Sequence, residues 1–442
     1  MSNEESRGTA LADSAGPQWS VNIGAARRVG RVEVLPWLLV ALVPIALALS
    51  SWDPTGVYNP VQAWFRLYGI AAIAAELALI GYSLASGTDP LRPVISLDLA
   101  ARTGLLVLLA VGVFTALFVA PDWLRAANWT FFSIIHLLFG LAVAALVRKT
   151  SSETRLASWN AILAGVLGYF CIAIVFVALA MQRGSLKWEY FGLGVTNIRQ
   201  VGFYSVVGAG AALGLAVVEA RPGRQILYVF AAAFMLSLSF WSGTRGSLVA
   251  VLLAFATGTM ILEAFRSIRS WLILGIAFAG GALISLAGPV PSPLYGVFRL
   301  KASIGAGAVD VSSGRFDMWA GAWNAILQRP VLGYGAGQYL HVVGDNPGVF
   351  NHPHNIVLQI LLQWGFVGAA CYFGLAMLLA SRVFSALKNP HPADAPALLV
   401  GMSLLTMTLY EGALFHSYPS MMFAFALALI VAPRRRAAGI VP

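Results

Sequence analysis

Long, unbroken apolar stretches fix the class of this chain before anything else does. With soft boundaries they fall at about 33–51, 62–86, 101–120, 127–147, 157–181, 200–219, 224–242, 246–264, 270–288, 355–381, 396–414 and 417–433. Each is near the roughly 20 residues an α-helix needs to cross a bilayer. Lipid tolerates only helices or closed barrels, because nothing else satisfies its own backbone there. Barrel strands are short and alternate polar with apolar residues, and these runs do not alternate. Hydrophobic residues make up 59% of the chain and charged residues only 10%, against about 25% charged in a soluble domain. With a mean hydropathy of +0.79, no soluble fold hides so much apolar surface. The expectation is an all-α polytopic membrane protein with about twelve transmembrane helices, and a compact cytosolic enzyme is excluded. Neither a 20–50-residue repeat nor a transporter-like inverted repeat is visible.

The basic residues orient the bundle. The net charge is +10 and the pI about 9.9. Apart from Arg434-Arg435-Arg436 no Lys/Arg block exists, so the charge points to membrane headgroups and not to nucleic acid. An even number of spans puts both termini on one side. With that side cytoplasmic, 18 of the 28 Lys and Arg residues fall inside, as the positive-inside bias requires. The expected division is a cytoplasmic segment 1–32, helices one to nine over 33–288, an outer loop 289–354, helices ten to twelve over 355–433 and a basic cytoplasmic tail 434–442. Ala46-Leu47-Ala48 loosely resembles a cleavage site, but the polar leader is long for a signal peptide and more spans follow, so the first run reads as a retained helix. Cys171 and Cys371 lie in apolar runs and read as small hydrophobic fillers.

The loop 289–354 is long among short ones, which marks it as functional. Between Gly314 and Pro330, residues Phe316, Trp319, Trp323, Ile326 and Leu327 recur at helical spacing. They predict a helix on the membrane face, packing its aromatic side on the bundle, on the lipid, or on both. Three outward arginines stand at helix ends or in this loop: Arg199 before Gln200, Arg245 in Ser242-Gly243-Thr244-Arg245-Gly246-Ser247, and Arg315 after Ser313-Gly314. A guanidinium near bilayer depth costs about 2.5–3.5 kcal/mol, so an internal carboxylate (Asp53, Asp122, Glu189, Asp310, Asp317, Asp345 or Glu411 on this side) or an anionic ligand is implied, with interfacial snorkelling as the plainer account. Converging arginines suit phosphate. His352-Pro353-His354-Asn355 closes the loop. Asn355 fits a helix cap, and a histidine at a helix N-terminus stays neutral and able to accept a proton. His-x-His alone is weak evidence for metal, and no metal site is assigned. Gly333-Tyr334-Gly335-Ala336-Gly337 follows no predicted strand and reads as a turn, not a nucleotide loop. Glu76 and His136 lie mid-helix without an evident partner in the sequence.

These pieces together resemble the O-antigen ligase and O-antigen polymerase superfamily. The resemblance runs from Ser313-Gly314-Arg315 through Trp319, Arg329-Pro330-Val331-Leu332-Gly333-Tyr334-Gly335 and His354-Asn355 to Leu358-Gln359 and Gly365-Phe366-Val367-Gly368, with the Arg245 turn upstream. It covers roughly residues 195–380. It implies a glycosyltransferase-C-like enzyme of the bacterial inner membrane with a periplasmic active site. The implied donor is an undecaprenyl-pyrophosphate-linked O-antigen, and for a ligase the acceptor is a sugar hydroxyl of the lipid A core. A polymerase would pass the chain to another lipid-linked repeat. A lipid-linked glycan transporter or binding protein is the reading from another class. On the ligase reading Arg245 and Arg315 neutralise the pyrophosphate and His354 takes the acceptor proton in an inverting reaction that needs no metal or other cofactor. Arg199, Gln200, His352, Tyr334, Asn355, Trp319, Glu411 and His416 are the further substrate-binding candidates, and the choice between His352 and His354 as base stays open. The expected partners are the donor, the acceptor and membrane lipids, with the protein a monomer.

Overall fold

In the computed structural model residues 31–52, 68–95, 97–148, 150–186, 191, 193–290, 295–299, 313–343 and 351–432 are described, with side chains from residue 36 onward. The expected cytoplasmic leader up to residue 30, the basic tail and loop residues 291–294, 300–312 and 344–350 lie outside them. The described residues contain helices and no strand. The apolar helices are α1 (Arg31–Ser50), α2 (Ile70–Ala85), α3 (Leu99–Phe114, running on as a π-helical turn Thr115–Val119), α4 (Trp123–Val147), α5 (Ser152–Gln182), α6 (Val201–Val218), α7 (Pro222–Trp241), α8 (Arg245–Ile261) and α9 (Ile268–Ser285). The loop helix α10 (Arg315–Gln328) follows, then α11 (Ile356–Ala386), α12 (Ala395–Tyr410) and α13 (Ser417–Val431). Within the described residues each apolar run of the sequence overlaps one of these. Eight are long and apolar enough to cross a membrane, while α1, α2, α8 and α13 are shorter apolar helices.

Helix α6 is the axis of the bundle, buried along its length and packed against α5, α7, α8 and α12. Small residues allow this. A Cβ on Gly214 would lie 2.5 Å from the backbone of Pro396 at the start of α12, so the two helices meet almost backbone to backbone, as small-residue faces permit in lipid. Glu76 on α2 and His136 on α4 find each other: His136 Nδ1 is 2.8 Å from Glu76 Oε1, and the Glu76 side chain is fully buried. The sequence alone gave neither a partner, because the pairing is between helices 60 residues apart.

The loop before α11 is stitched into that helix by a break in it. Gly365 has φ 59° and ψ −165°, a region essentially reserved for glycine. The lapse in helical bonding exposes backbone groups on both sides. The carbonyls of Leu362 and Gln363 accept from the N–H groups of Tyr334 (2.9 Å) and Gly335 (2.8 Å). The N–H groups of Phe366 and Val367 donate to the carbonyls of Pro330 (2.7 Å) and Val331 (3.2 Å). The Gly333–Gly337 run is therefore a turn whose glycines all have positive φ. Within α10, Met318, Ala322, Ala325 and Ile326 face inward, while Phe316, Trp323 and Leu327 are exposed. The aromatic residues thus do not share one buried side: only Ile326 of the expected set is in the core.

Two substitutions test this framework. Gly365→Ala places a Cβ 2.3 Å from the Val331 backbone and forces an L-residue into a strained conformation, so a loss of roughly 3 kcal/mol is expected, read as a lowered unfolding temperature in detergent. His136→Ala leaves Glu76 buried alone and should cost about 3 kcal/mol, whereas replacing both by leucine should recover most of it in the same measurement.

Candidate functional site

The stretches singled out in the sequence meet at one end of the bundle. Arg199 and Gln200 form a 3-10 turn before α6, Arg245 opens α8, Arg315 opens α10, His352 and His354 precede α11, and Glu411 to His416 link α12 to α13. Thr244 Oγ1 donates to the Arg199 carbonyl (2.9 Å), which ties the α7–α8 turn to the start of α6. Tyr410 Oη donates to the Gly246 carbonyl (2.6 Å), which ties the same turn to the end of α12. The contact is close enough that a Cβ on Gly246 would lie 2.8 Å from Glu411 Oε1.

Glu411 is the junction. Arg315 Nη2 donates to Glu411 Oε1 at 2.6 Å, with the two side chains 24% and 17% exposed. This is the internal carboxylate that an outward arginine called for. The Glu411 backbone carbonyl lies 3.2 Å from His354 Nδ1. A carbonyl oxygen only accepts, so Nδ1 carries the hydrogen and Nε2 of the neutral ring carries the lone pair. His352 has the opposite tautomer: its Nδ1 accepts from the His354 backbone N–H at 3.2 Å, which leaves its hydrogen on Nε2. The two rings are 4.2 Å apart. His354 itself has φ 54°, a left-handed conformation that costs a non-glycine residue about 1 kcal/mol or more and clusters at functional sites.

Burial holds this imidazole group neutral. It lowers the pKa of His354, with the Glu411 charge opposing and the Arg315 charge reinforcing the shift. It lowers that of His352 further, helped by His354, His416 and Arg315. His416 is pushed down to about 3 by burial and by His354. Neutrality was expected from the helix dipole, but desolvation is the larger cause.

The remaining candidates hold the site or stand apart from it. Trp319 Nε1 donates to the Pro353 carbonyl (2.9 Å), clasping the His-Pro-His segment from α10. Asn355 caps α11, accepting from Val357 and Leu358. Gln200 accepts through Oε1 from Thr196, and the Arg199 guanidinium sits 5.7 Å from the Tyr295 ring. Tyr334 belongs to the loop's own packing: its hydroxyl donates to the Ala325 carbonyl and Arg329 covers its ring. Two arginines that carried no special weight in the sequence also matter. Arg299, 7% exposed, donates to the Gly243 carbonyl and to Ser313 Oγ (3.4 Å), joining the Arg245 turn to the start of α10. Arg125 donates to the Gly337 carbonyl (2.7 Å) and to Asn351 Oδ1 (2.8 Å), next to His352. By the charge-based orientation both would face outward like the chosen three, and that was the available signal. Among the described residues no group of three or more His, Cys, Asp or Glu gathers as a metal site.

Comparison with known proteins bears on the same stretch of sequence. A family described as O-antigen ligase matches residues 230–373, a stretch that holds Arg245, Arg315 and both histidines but neither Arg199 nor Glu411. The O-antigen ligase of Pseudomonas aeruginosa is 26% identical over 256 residues, which are 52% of this chain and 59% of that protein. Over residues 230–373 the chain is thus similar to the O-antigen ligase family, and it spans about three fifths of the length of the curated relative it matches.

Proposed function

We propose that the protein is an O-antigen ligase. It transfers a polysaccharide from undecaprenyl pyrophosphate to a sugar hydroxyl of the lipid A core, on the periplasmic face of the inner membrane, and twelve spans leave both termini in the cytoplasm. The observation that carries this reading is the neutral His354, held through Nδ1–H on the Glu411 carbonyl so that Nε2 bears the lone pair, beside the guanidinium of Arg315. That tautomer favours His354 over the more deeply buried His352 as the base.

In the proposed reaction His354 Nε2 takes the proton of the acceptor hydroxyl as its oxygen attacks the anomeric carbon. The carbon–oxygen bond to the diphosphate breaks on the opposite side, inverting the centre, and the electron pair leaves with undecaprenyl pyrophosphate. Arg245 and Arg315, with Arg199 nearby, balance the charge of the leaving group. A charge pair at 4 Å is worth about 1 kcal/mol in water and roughly 4 kcal/mol at an effective dielectric near 20, so a partly dehydrated site strengthens the clamp. Arg315 can serve while paired, because a guanidinium has five donors and Glu411 engages one edge. Charge balance by guanidinium groups makes a metal-independent route sufficient on this reading.

Purified protein in nanodiscs, given lipid-linked polysaccharide and lipid A-core, supplies the test. His354→Ala should lower the transfer rate about 10²–10⁴-fold and Arg245→Ala about 10²-fold, with both variants keeping the wild-type unfolding temperature. Full transfer by either folded variant removes that residue from the mechanism. A product extended on the lipid-linked repeat, with none on lipid A-core, would identify a polymerase, and a chelator should leave the rate unchanged.

The pH profile gives a second check. The base works only when neutral, above its pKa, and burial sets that pKa below the ordinary 6.5. The acid limb of kcat/KM should therefore lie below pH 6.5, with a plateau through neutrality. The Glu411 charge opposes this shift, so Glu411→Gln should move the limb to lower pH still. A limb at or above pH 6.5 would contradict His354 as the base.

A further inference from the structure

Beside the Arg315–Glu411 pair and the histidines lies a cleft of different character. It opens between the end of α1 and the starts of α2, α6 and α13, lined by Gln200, Phe203, Tyr204, His416 and Tyr418 among others, and among the described residues no Asp, Glu, Lys or Arg borders it. His416 forms the wall shared with the candidate site, its ring 5.5 Å from that of His352. Tyr418 is 3% exposed, stacks on Tyr204 at 4.7 Å, and its buried hydroxyl has no hydrogen-bond partner. A buried polar group without a partner is uncommon in a native fold and calls for an explanation. Gln200 accepts from Thr196 through Oε1, which fixes the amide so that its NH2 end is the donor left to other partners. His416, uncharged above a pKa of about 3, offers one donor and one acceptor.

We propose, resting on the transferase reading, that this cleft recognises one hydroxyl group of a glycan substrate, with Gln200, His416 and Tyr418 as specificity-determining residues. The chemistry is that of a neutral polyol. A phosphate or uronate would need a positive partner, and an isoprenoid tail would leave the Tyr418 hydroxyl still unsatisfied. Size narrows the choice further: the cleft has room for about one water molecule. A hydroxyl or hydroxymethyl arm can enter while the sugar ring stays above it. The ring then lies toward His352 and His354, where the proposed attack takes place. The sugar could belong to the lipid-linked donor or to the lipid A-core acceptor.

The full chain in nanodiscs distinguishes these. Each substrate is titrated at saturating levels of the other, for wild type, Tyr418→Phe and Gln200→Met. In parallel, oligosaccharides released from the donor and from the core by mild acid are tested for raising the unfolding temperature. Tyr418→Phe should raise the KM of one substrate about tenfold while kcat stays within about twofold, and the affected substrate names the source. Without glycan its unfolding temperature should equal or exceed that of wild type, because the hydroxyl it removes has no partner. A merely structural role would lower that temperature and spare KM. Unchanged KM values for both substrates in both variants, with transfer intact, would overturn the subsite and leave the transferase reading standing. Stabilisation of wild type by one oligosaccharide, lost in Tyr418→Phe, with no transfer at all, would keep the subsite and overturn the transferase reading. Neither stabilisation nor transfer by wild type would overturn both.

Discussion

The site is organised around one residue, Glu411, which uses two different groups for two different tasks. Its carboxylate takes Arg315 and its backbone carbonyl lies against His354. The first contact supplies the counter-charge for a guanidinium at the start of α10. The second sets the tautomer of an imidazole 57 residues away in sequence. A carboxylate paired with arginine also opposes part of the desolvation that depresses His354, so the same residue governs both where the ring points and how readily it accepts a proton. Glu411 can do this because it sits at the end of α12, where the helix stops and a carbonyl is left without an intrahelical donor.

That arrangement depends on an outer loop whose backbone is fixed at both ends. The break at Gly365 lets Pro330–Gly335 bond into α11 like a short strand against a helix terminus, and Trp319 clasps Pro353. Arg125 and Arg299 extend the same clasp to Asn351 and to the α7–α8 turn. Long polar side chains thus cross between elements where the chain is irregular, and apolar packing holds the bundle beneath. The division follows from the solvent: helices in lipid satisfy their own backbone, while the loop must find partners elsewhere.

Much of this was legible in the sequence and some was not, for identifiable reasons. The apolar runs gave the helices because a membrane leaves the chain few alternatives. Arg245, Arg315, His352 and His354 stood out because charge is rare in such a chain. Pairings were the hidden part. Glu76 and His136 each looked solitary, and Arg125 and Arg299 looked like ordinary interfacial arginines, since nothing in a linear pattern says which helix faces which. Trp319 drew attention as a substrate contact, and the structure gives its Nε1 to Pro353; Asn355 drew it both as a substrate contact and as a helix cap, and its Oδ1 does cap α11. The kink at Gly365 was concealed inside an apolar run that reads as one helix, because glycine is common in membrane spans and its left-handed geometry leaves no mark on hydropathy.

The distribution of charge across the site is itself an argument about what it handles. Arg245 and Arg315 open α8 and α10, and among the described residues the cleft on the side of α1 and α13 is bordered by no guanidinium group. Between them stand His352, His354 and His416, all held uncharged by burial. A lipid-linked glycan has the same polarity along its length, with a doubly charged diphosphate joined to a neutral sugar. If the histidines were protonated, the boundary would vanish and the cleft would attract phosphate instead of hydroxyl. On the proposed reading, desolvation of the imidazoles would therefore do more than keep a base ready: it would preserve the contrast by which one end of a substrate is told from the other.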